Sequence, residues 1–532
     1  MPTLNWIGKD KVVNHHQDVP FKVLEHKYGF TAKKGEQSEE TNSGNKIIND
    51  DNLAALKTLL PEYEGKIDLV YIDPPYNTGN EKWIYNDKVN HPKIKNWLDK
   101  VVGKEGEDLT RHDKWLCMMY PRLKLLSKLL SENGVIFISI NYTNEHAYLK
   151  CLSDEIFGRN NFIGEITWEA TTQPINSGSA RFKLQQKVEP ILFYAKNKKN
   201  HNSFILEEIE SGFKYPHQGK LGRKCRFEII EKSDAGGYNR PTMKFEILGQ
   251  TPREGKRWQI GKDTAIELDK NNRLEIVNGI VKKAVYPEDE LEKKKYKPFW
   301  SHLPSEQVGT AQFGKELLNE IMGRAVGFDT VKPPALIEKL ISYFPSNIKV
   351  LDSFAGSGTT AQAVLNLNMK DDGNRKFILI EMEDYANDIT AERVKRVTQG
   401  YKDADIKVEG LGGEFDYYEL GQPIFKEDKN LNEEVGEEKI REYIYYTETK
   451  QHLSRKREED KHKYLLDILN ETGYYFYYDK DKLTSLDIET LNIVTEKSEQ
   501  YIIYADHCLL DQVYMLENNI IFKKIPRDIK RF

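Results

Sequence analysis

The tetrapeptide Asp73-Pro74-Pro75-Tyr76 carries the sharpest chemical signal in the sequence. An exocyclic amine on a nucleobase is a poor nucleophile because its lone pair is delocalised into the ring. The Asp73 carboxylate and the Pro74 carbonyl can each accept a hydrogen bond from such an amine, and proline holds the backbone rigid. The Tyr76 ring can stack on a base that has left the double helix. The alternative interpretation is a proline turn after a strand, with Tyr76 as ordinary packing.

A second signal is the glycine-rich loop Asp352-Ser353-Phe354-Ala355-Gly356-Ser357-Gly358-Thr359-Thr360. Its glycines allow close backbone approach, and the helix predicted to follow it supplies N–H donors. A later strand ends at Glu381, where an acid typically binds ribose hydroxyls. Since the loop lacks the lysine of a phosphate-binding NTPase loop, we expect S-adenosylmethionine (SAM) as its ligand rather than ATP.

Alternating helices and strands must position these two loops. The apolar run 67–72 ends at the two prolines and predicts a buried strand. We predict further strands at 134–141, 348–354 and 376–382, and helices at 49–63, 116–132, 334–344 and 359–368. This alternation indicates an α/β fold with a parallel, doubly wound sheet, in which ligands bind at the carboxyl ends of the strands.

The α/β rhythm is interrupted, which suggests several domains. Residues 1–45 have the composition of a polar leader that is partly loop, 165–325 have that of an insert, and the region after 420 is acidic and rich in tyrosine. The predicted domains are a leader (1–45), a first catalytic part (46–164), an inserted domain (165–325), a second catalytic part (326–420) and a C-terminal region (421–532).

The formal net charge of −5 conceals an uneven distribution. Residues 171–300 contain 26 Lys and Arg against 17 Asp and Glu, whereas residues 401–532 contain 20 against 29. A basic middle section predicts a polyanion-binding surface, although lysine-rich loops can also be merely solvated. The candidate contacts are Arg223, Arg226, Arg253 and Arg257.

Other features exclude several classes of protein. No run of about 18 apolar residues predicts a membrane span, and no secretory signal is visible, so we expect a cytoplasmic protein. The four cysteines form no CxxC pair, which argues against a zinc site or a disulfide framework, and we expect no metal. No Pro-Cys dipeptide provides the nucleophile that cytosine-C5 methylation requires.

The sequence resembles β-group DNA amino-methyltransferases, and closely the modification (Mod) subunits of type III restriction–modification systems. The matching stretches include DLVYIDPPYNTGNEKWIYND, GFDTVKPPALIEKLI, VLDSFAGSGTTAQAV and FILIEME. The resemblance implies a circularly permuted, Rossmann-like SAM-dependent methyltransferase fold with an inserted target-recognition domain and a C-terminal α+β region. The catalytic motif precedes the SAM loop along the chain, yet their strands are neighbours in the sheet.

The resemblance also assigns roles to single residues. Asp51 would bind the SAM adenine, although Asp50 stands where the family usually has glycine, so either acid qualifies and we prefer Asp51. Lys332 and Pro333 would contact the methionine end of SAM, Asp352 would bind its amino group, and Glu381 would bind its ribose. The cofactor loop would be formed by Phe354, Gly356, Gly358 and Thr359. The pocket for the base would be lined by Asn77 and Thr78.

The function implied is methyl transfer from SAM to adenine N6 in double-stranded DNA, by a homodimer. Asp73 favours adenine, since cytosine-N4 enzymes of this group more often have serine there, but cytosine-N4 transfer uses the same geometry. An alternative interpretation of the sequence is a DNA-specificity subunit that recruits a nuclease. A separate restriction (Res) subunit would supply cleavage, and an orphan methyltransferase is equally consistent with the sequence.

Overall fold

Short, almost wholly buried strands lie at the centre of the fold. Ile67–Ile72 and Lys376–Glu381 each have at most one residue that is not buried. Strands covered on both faces are typical of parallel sheets, and both are paired in parallel with their neighbours. The predicted α/β fold is confirmed, and the sheet is parallel around these two strands.

The computed structural model describes residues 3–77, 111–173, 184–201, 204–209, 213–234, 240–290, 295–403, 406–454 and 462–526. The chain divides into two units. The larger unit combines Met1–Ile205 with Trp300–Phe532, and the smaller unit is Leu206–Phe299.

An eleven-stranded sheet organises the larger unit. Its strands, in chain order, are β1 Lys22–Thr31, β2 Gly35–Gln37, β3 Lys46–Asn49, β4 Ile67–Ile72, β5 Leu130–Ser139, β6 Phe162–Glu169 and β7 Val188–Ala195, followed after the smaller unit by β16 His302–Leu303, β17 Lys349–Asp352, β18 Lys376–Glu381 and β21 Glu414–Pro423. The spatial order is β16-β6-β7-β5-β4-β17-β18-β3-β21-β1-β2. The strand before Asp73 (β4) and the strand before the glycine-rich loop (β17) are therefore parallel neighbours, as the resemblance implies.

Helices connect these strands. Those of the larger unit are Lys9–Val12, His15–Asp18, Asn52–Tyr63, Arg111–Leu129, His146–Ser153, Ser305–Val308, Ala311–Met322, Pro334–Ile341, Thr359–Asp371, Glu392–Gln399, Glu437–Thr449 and Gln512–Glu517. Across the described ranges, none is long and apolar enough to span a bilayer.

The first 45 residues differ from the leader that we predicted. β1 is ten residues long and pairs antiparallel with β21, from Lys22 opposite Pro423 to Thr31 opposite Glu414. Trp6 and Val12 belong to the main hydrophobic core. The partner strand lies almost 400 residues away in the chain, so local composition gives no sign of the pairing.

The inserted domain is smaller than the predicted 165–325. β7 pairs antiparallel with both β5 and β6, so the segment 188–195 continues the central sheet. The smaller unit contains β8 Glu208–Ile209, β9 His217–Gln218, β10 Lys224–Ile229, β11 Glu231–Ser233, β12 Lys256–Trp258, β13 Leu274–Val277, β14 Ile280–Val285, β15 Lys295–Tyr296 and the helix Lys262–Lys270. Its core includes Ile230, Trp258, Leu274 and Val281.

The C-terminal region has the predicted α+β character. After the short pair β19 Gly400–Asp403 and β20 Ile406–Glu409, its strands are β22 Leu465–Leu469, β23 Thr472–Phe476, β24 Ser485–Leu486, β25 Gln500–Ala505, β26 His507–Cys508 and β27 Ile520–Lys524. Four of them form a sheet in the order β22-β23-β25-β27. Tyr475 and Phe476 are fully buried, so the tyrosine-rich segment packs as a strand.

Candidate functional site

The predicted site residues converge at one edge of the central sheet. Asp73 follows β4, the glycine-rich loop begins at the end of β17, Glu381 ends β18, and Asp51 lies two residues after β3. These four strands are consecutive and parallel, so their carboxyl ends meet at the same edge. Ligands of open α/β sheets bind at such an edge.

Asp73 lies in a buried network of charges. Lys332 Nζ donates hydrogen bonds to Asp73 Oδ2 at 2.9 Å and to the Tyr76 hydroxyl at 2.8 Å. Tyr76 in turn donates to Glu189 Oε2 at 3.0 Å, and this oxygen lies 3.5 Å from Lys332 Nζ. Asp73 Oδ1 is buried and has no hydrogen-bond partner among the described residues. One oxygen of the carboxylate thus has unused capacity to accept a hydrogen bond among the described residues.

Burial and charge act in opposite directions on this network. Burial alone would lower the pKa of Lys332, but the Asp73 and Glu189 carboxylates outweigh it and raise that pKa. Burial also raises the pKa of Glu189, against the opposing effect of Lys332. The lysine therefore remains an ammonium between two acids.

The loop that carries Asp73 is fixed by neighbouring side chains. Trp115 Nε1 donates to the Pro75 carbonyl at 2.6 Å, and Asn144 Nδ2 reaches the Tyr76 carbonyl at 3.4 Å. Asn77 has a φ of 54°, a left-handed conformation that asparagine tolerates, and its amide donates to Glu145 Oε1. Thr78, the other predicted base-pocket residue, lies outside the described residues.

The glycine-rich loop is built around two buried carboxyl groups. Asp352 accepts hydrogen bonds from the Phe354 amide at 3.0 Å and the Thr360 hydroxyl at 2.6 Å. Glu381 accepts from the Gly356 amide at 2.7 Å and the Glu383 amide at 3.0 Å. Burial raises the pKa of Asp352 to about 7 and that of Glu381 to about 8. Raised pKa values of this kind occur often at functional sites, so both acids are candidates for binding a ligand.

Backbone geometry explains the glycine at 358. Gly358 has a φ of 81°, and a Cβ there would lie 3.0 Å from the Thr390 carbonyl oxygen. Thr359 begins the helix Thr359–Asp371, and its hydroxyl accepts a hydrogen bond from Arg393 at 2.8 Å. Thr390 and Arg393 therefore pack against the loop and leave no room for a side chain at position 358.

Both acids after β3 already have protein partners. Asp51 Oδ1 caps the helix Asn52–Tyr63 by accepting from the Ala54 amide, and Asp51 Oδ2 pairs with the buried Arg122 at 3.2 Å. Asp50 Oδ1 accepts the Asp51 amide at 2.6 Å. The geometry does not separate the two as adenine ligands. Pro333 immediately precedes the helix Pro334–Ile341, and Lys332 contacts the Asp73 loop.

The four arginines predicted to contact DNA are all paired within the smaller unit. Arg226 is only 21% exposed and lies between two carboxylates, which gives it a structural role in that unit. Arg257 is buried further, at 15% exposed, whereas Arg223 and its partner Glu288 are both exposed, and such surface ion pairs contribute little energy. The pairs are Arg223–Glu288 at 2.8 Å, Arg226–Glu290 at 2.5 Å, Arg253–Glu231 at 2.6 Å and Arg257–Asp234 at 3.6 Å.

Several residues of the site escaped the sequence analysis. Glu189 is the most informative, because it is an acid within the otherwise apolar segment VEPILFYA of β7. An acid in a buried strand is unusual, and that exception was a usable signal. The others that escaped notice are Arg122, Trp115, Asn144, Glu145 and Trp168, whose ring centroid lies 5.5 Å from Lys332 Nζ.

Comparison with known proteins agrees with this geometry. Residues 67–392 match a family described as DNA methylase. The type III restriction-modification enzyme StyLTI Mod subunit of Salmonella typhimurium is 34% identical over 374 residues, which cover 65% of this chain and 53% of the relative. The EcoPI Mod subunit of Escherichia phage P1 is 32% identical over 431 residues, covering 72% and 64%.

A shorter relative is matched over most of its length. The type II methyltransferase M.KpnI of Klebsiella pneumoniae is 28% identical over 392 residues, which cover 67% of this chain and 88% of that protein. The chain spans about half to two thirds of the length of the two Mod subunits. The family match extends over more than half of the chain and includes Asp73, Lys332, Asp352 and Glu381, so the chain belongs to the DNA methylase family.

Proposed function

We propose that this chain methylates adenine N6 in double-stranded DNA, with SAM as the methyl donor. The observation that carries the proposal is the buried Asp73 carboxylate, which has one oxygen held by Lys332 and the other without a partner among the described residues. An oriented acceptor at the edge where ligands bind suits an amino group that must be made nucleophilic.

The donor set of the glycine-rich loop fits SAM. Asp352 offers a carboxylate for an amino group, and Glu381 offers one for ribose hydroxyls, at the ends of adjacent strands. Gly356 and Gly358 bring the backbone close to whatever lies above the loop. SAM would supply an electrophilic methyl group. Asp352 and Glu381 would hold its polar ends, with Pro333 and Phe354 near them.

The residues around Asp73 would prepare the base. Asp73 Oδ1 and the Pro74 carbonyl each accept an N–H of the amino group, which draws the nitrogen towards a tetrahedral geometry with an available lone pair. The Tyr76 ring stacks on the extruded base, while its hydroxyl stays bonded to Glu189. Asp73 is then the nearest carboxylate to the proton that leaves the nitrogen after transfer.

Transfer of tritium from labelled SAM to DNA tests the activity directly. Asp73→Ala is expected to reduce the rate by about two to three orders of magnitude, since one preorganised contact to a reacting group contributes roughly 3–4 kcal/mol. Its SAM affinity should stay close to wild type, because Asp73 lies outside the set of residues that hold SAM. Transfer by the variant at a wild-type rate would contradict the assignment.

Cytosine-N4 transfer is the second candidate, because the same acceptors suit its amino group. Single-molecule methylation sequencing of DNA from cells that express the chain distinguishes the two and gives the target site. We expect N6-methyladenine. N4-methylcytosine alone would replace the proposal, and a chain that binds DNA without methylating it would be a specificity subunit.

We further propose that the chain is the modification component of a type III restriction–modification system, since two relatives above 30% identity carry that description. A cytoplasmic location, a homodimer and a separate Res subunit belong to the same proposal. Light scattering of the chain alone and on target DNA tests the dimer, and a monomer in both would reject it. An orphan methyltransferase remains the alternative where no nuclease co-purifies.

A further inference from the structure

The Lys332 ammonium is shared unequally between two carboxylates. It lies 2.9 Å from Asp73 Oδ2 and 3.5 Å from Glu189 Oε2, and the Tyr76 hydroxyl connects it to Glu189 by two further hydrogen bonds. Lys332 and Asp73 side chains are each 9% exposed, so water provides little competition for these contacts. The position of the ammonium is therefore determined by the two acids and the tyrosine.

The side of Asp73 that the ammonium occupies matters for the substrate. An ammonium has three donors and can bridge both oxygens of a carboxylate. Here it contacts Oδ2 only, and Oδ1 has no partner among the described residues. A second acid, Glu189, lies 3.5 Å from the same ammonium, and its attraction offers a physical reason for the one-sided arrangement.

Glu189 is well placed to exert this attraction. It lies on β7, directly opposite Trp168 of β6 in the strand register, and Lys332 Nζ is also 5.5 Å from the Trp168 ring centroid. The antiparallel pairing of β6 and β7 thus holds the acid in place. Lys332 Nζ is 2.8 Å from the Tyr76 hydroxyl but 5.1 Å from the ring centroid, so it lies beyond the hydroxyl edge rather than over the ring face.

We propose that Glu189 is a positioning residue that holds the Lys332 ammonium on one side of Asp73, so that Asp73 Oδ1 is left without a protein partner and can accept a hydrogen bond from the amino group of the base. The inference rests on the proposed function, since it supposes an amino group at Asp73. Without the Glu189 charge, Lys332 has a single acid partner and competes with the substrate for both oxygens.

Glu189→Gln tests this inference with little change of shape. The glutamine still accepts a hydrogen bond from Tyr76 but has no charge. Single-turnover methylation should slow about tenfold or more, because charge-assisted hydrogen bonds are roughly twice as strong as neutral ones. SAM affinity, measured by calorimetry, should remain unchanged. An unchanged methylation rate in folded Glu189→Gln would overturn the proposal.

The double variant separates positioning from a merely structural role. If the uncompensated ammonium blocks Asp73, then Glu189→Gln with Lys332→Met should be faster than Glu189→Gln alone and close to Lys332→Met alone. If Glu189 only supports the fold, the two substitutions act independently. The double variant should then lose methylation rate by the product of the two single-variant factors. That result would also overturn the proposal.

Glu189→Asp is a second test, because it keeps the negative charge at position 189. It also replaces the first test if Glu189→Gln fails to fold. We expect it to retain a rate within about threefold of wild type, whereas a loss of a hundredfold would assign the role to shape and reject the proposal. The wild-type chain in the same assays distinguishes failure of the proposed function from failure of the role proposed for Glu189. If wild type fails to methylate DNA, the proposed function fails; if it methylates and the double variant shows no recovery, only the role of Glu189 fails.

Discussion

The affinity for SAM should rise with pH because of Glu381. Burial raises the pKa of this carboxyl group to about 8, so most of it is protonated at pH 7 in the free protein. Ribose hydroxyls donate hydrogen bonds, and an ionised carboxylate is the better acceptor. Binding therefore favours the ionised form and releases a proton. The affinity should increase as the pH rises towards 8 and level off above it.

The size of the effect follows from the pKa. Each pH unit below about 8 adds roughly 1.4 kcal/mol to the cost of ionising Glu381, so affinity should fall about fiftyfold between pH 8 and pH 6. Burial raises the pKa of Asp352 to about 7, and if its charged form is also required, the fall is steeper. A pKa at the ordinary value of glutamate would give almost no change over this interval.

Calorimetry in two buffers of different ionisation enthalpy measures both affinity and the protons released. Glu381→Gln is the matched control, because glutamine can still accept the Gly356 amide but cannot titrate near neutral pH. It should bind SAM more weakly at pH 8 and show a flatter pH dependence, and the comparison cancels the titration of SAM itself. Identical pH slopes for the two proteins, with equal proton release, would refute the reasoning.

Three further predictions concern the cofactor loop, the base and the smaller unit. Gly358→Val should weaken SAM binding and spare DNA binding, because a left-handed conformation costs a side chain roughly 1–2 kcal/mol and its Cβ would approach the Thr390 carbonyl; unchanged SAM affinity by calorimetry would misplace the pocket. Tyr76→Ala should lose about 1–3 kcal/mol of base stacking, read as reduced brightening of 2-aminopurine at the target, and no brightening with wild type would count against base flipping. Exchange of residues 206–299 for those of a relative with another site should change the methylated sequence, and the logarithm of affinity should fall by ~0.9 per phosphate contact with the logarithm of salt; a chimera that keeps the original site would place recognition elsewhere.

Local patterns predicted the strands and loops of the site well. The strand before Asp73 and the strands before the glycine-rich loop and at Glu381 were each visible as short apolar runs, because burial on both faces leaves little room for polar residues. The first strand has the predicted bounds, 67–72, and the other two end one or two residues earlier than predicted. Adjacent strand ends then bring Asp73, Asp352 and Glu381 to one edge, although their roles remain predictions.

Long-range pairing was less predictable. β1 was hidden in an apparent leader, because its partner β21 lies far along the chain. β7 falls within the predicted insert, because nothing local shows that it runs antiparallel to β5. The contacts of Lys332 and Glu189 depend on that placement. The four arginines remain predicted DNA contacts, and composition does not show that Arg226 pairs with Glu290 inside its own unit.

The buried acids Asp352 and Glu381 also reduce the free energy of unfolding as the pH rises. A carboxyl group whose pKa is raised in the folded state binds its proton more tightly there than in the unfolded chain. For Glu381 this means that stability decreases as the pH rises from about 4.5 to about 8, and for Asp352 from about 3.8 to about 7. Apolar residues at the ends of β17 and β18 would avoid this loss, because burying a charge is unfavourable unless it is well paired. A ligand that donates hydrogen bonds to both acids would offset this loss, as the proposed binding of SAM requires.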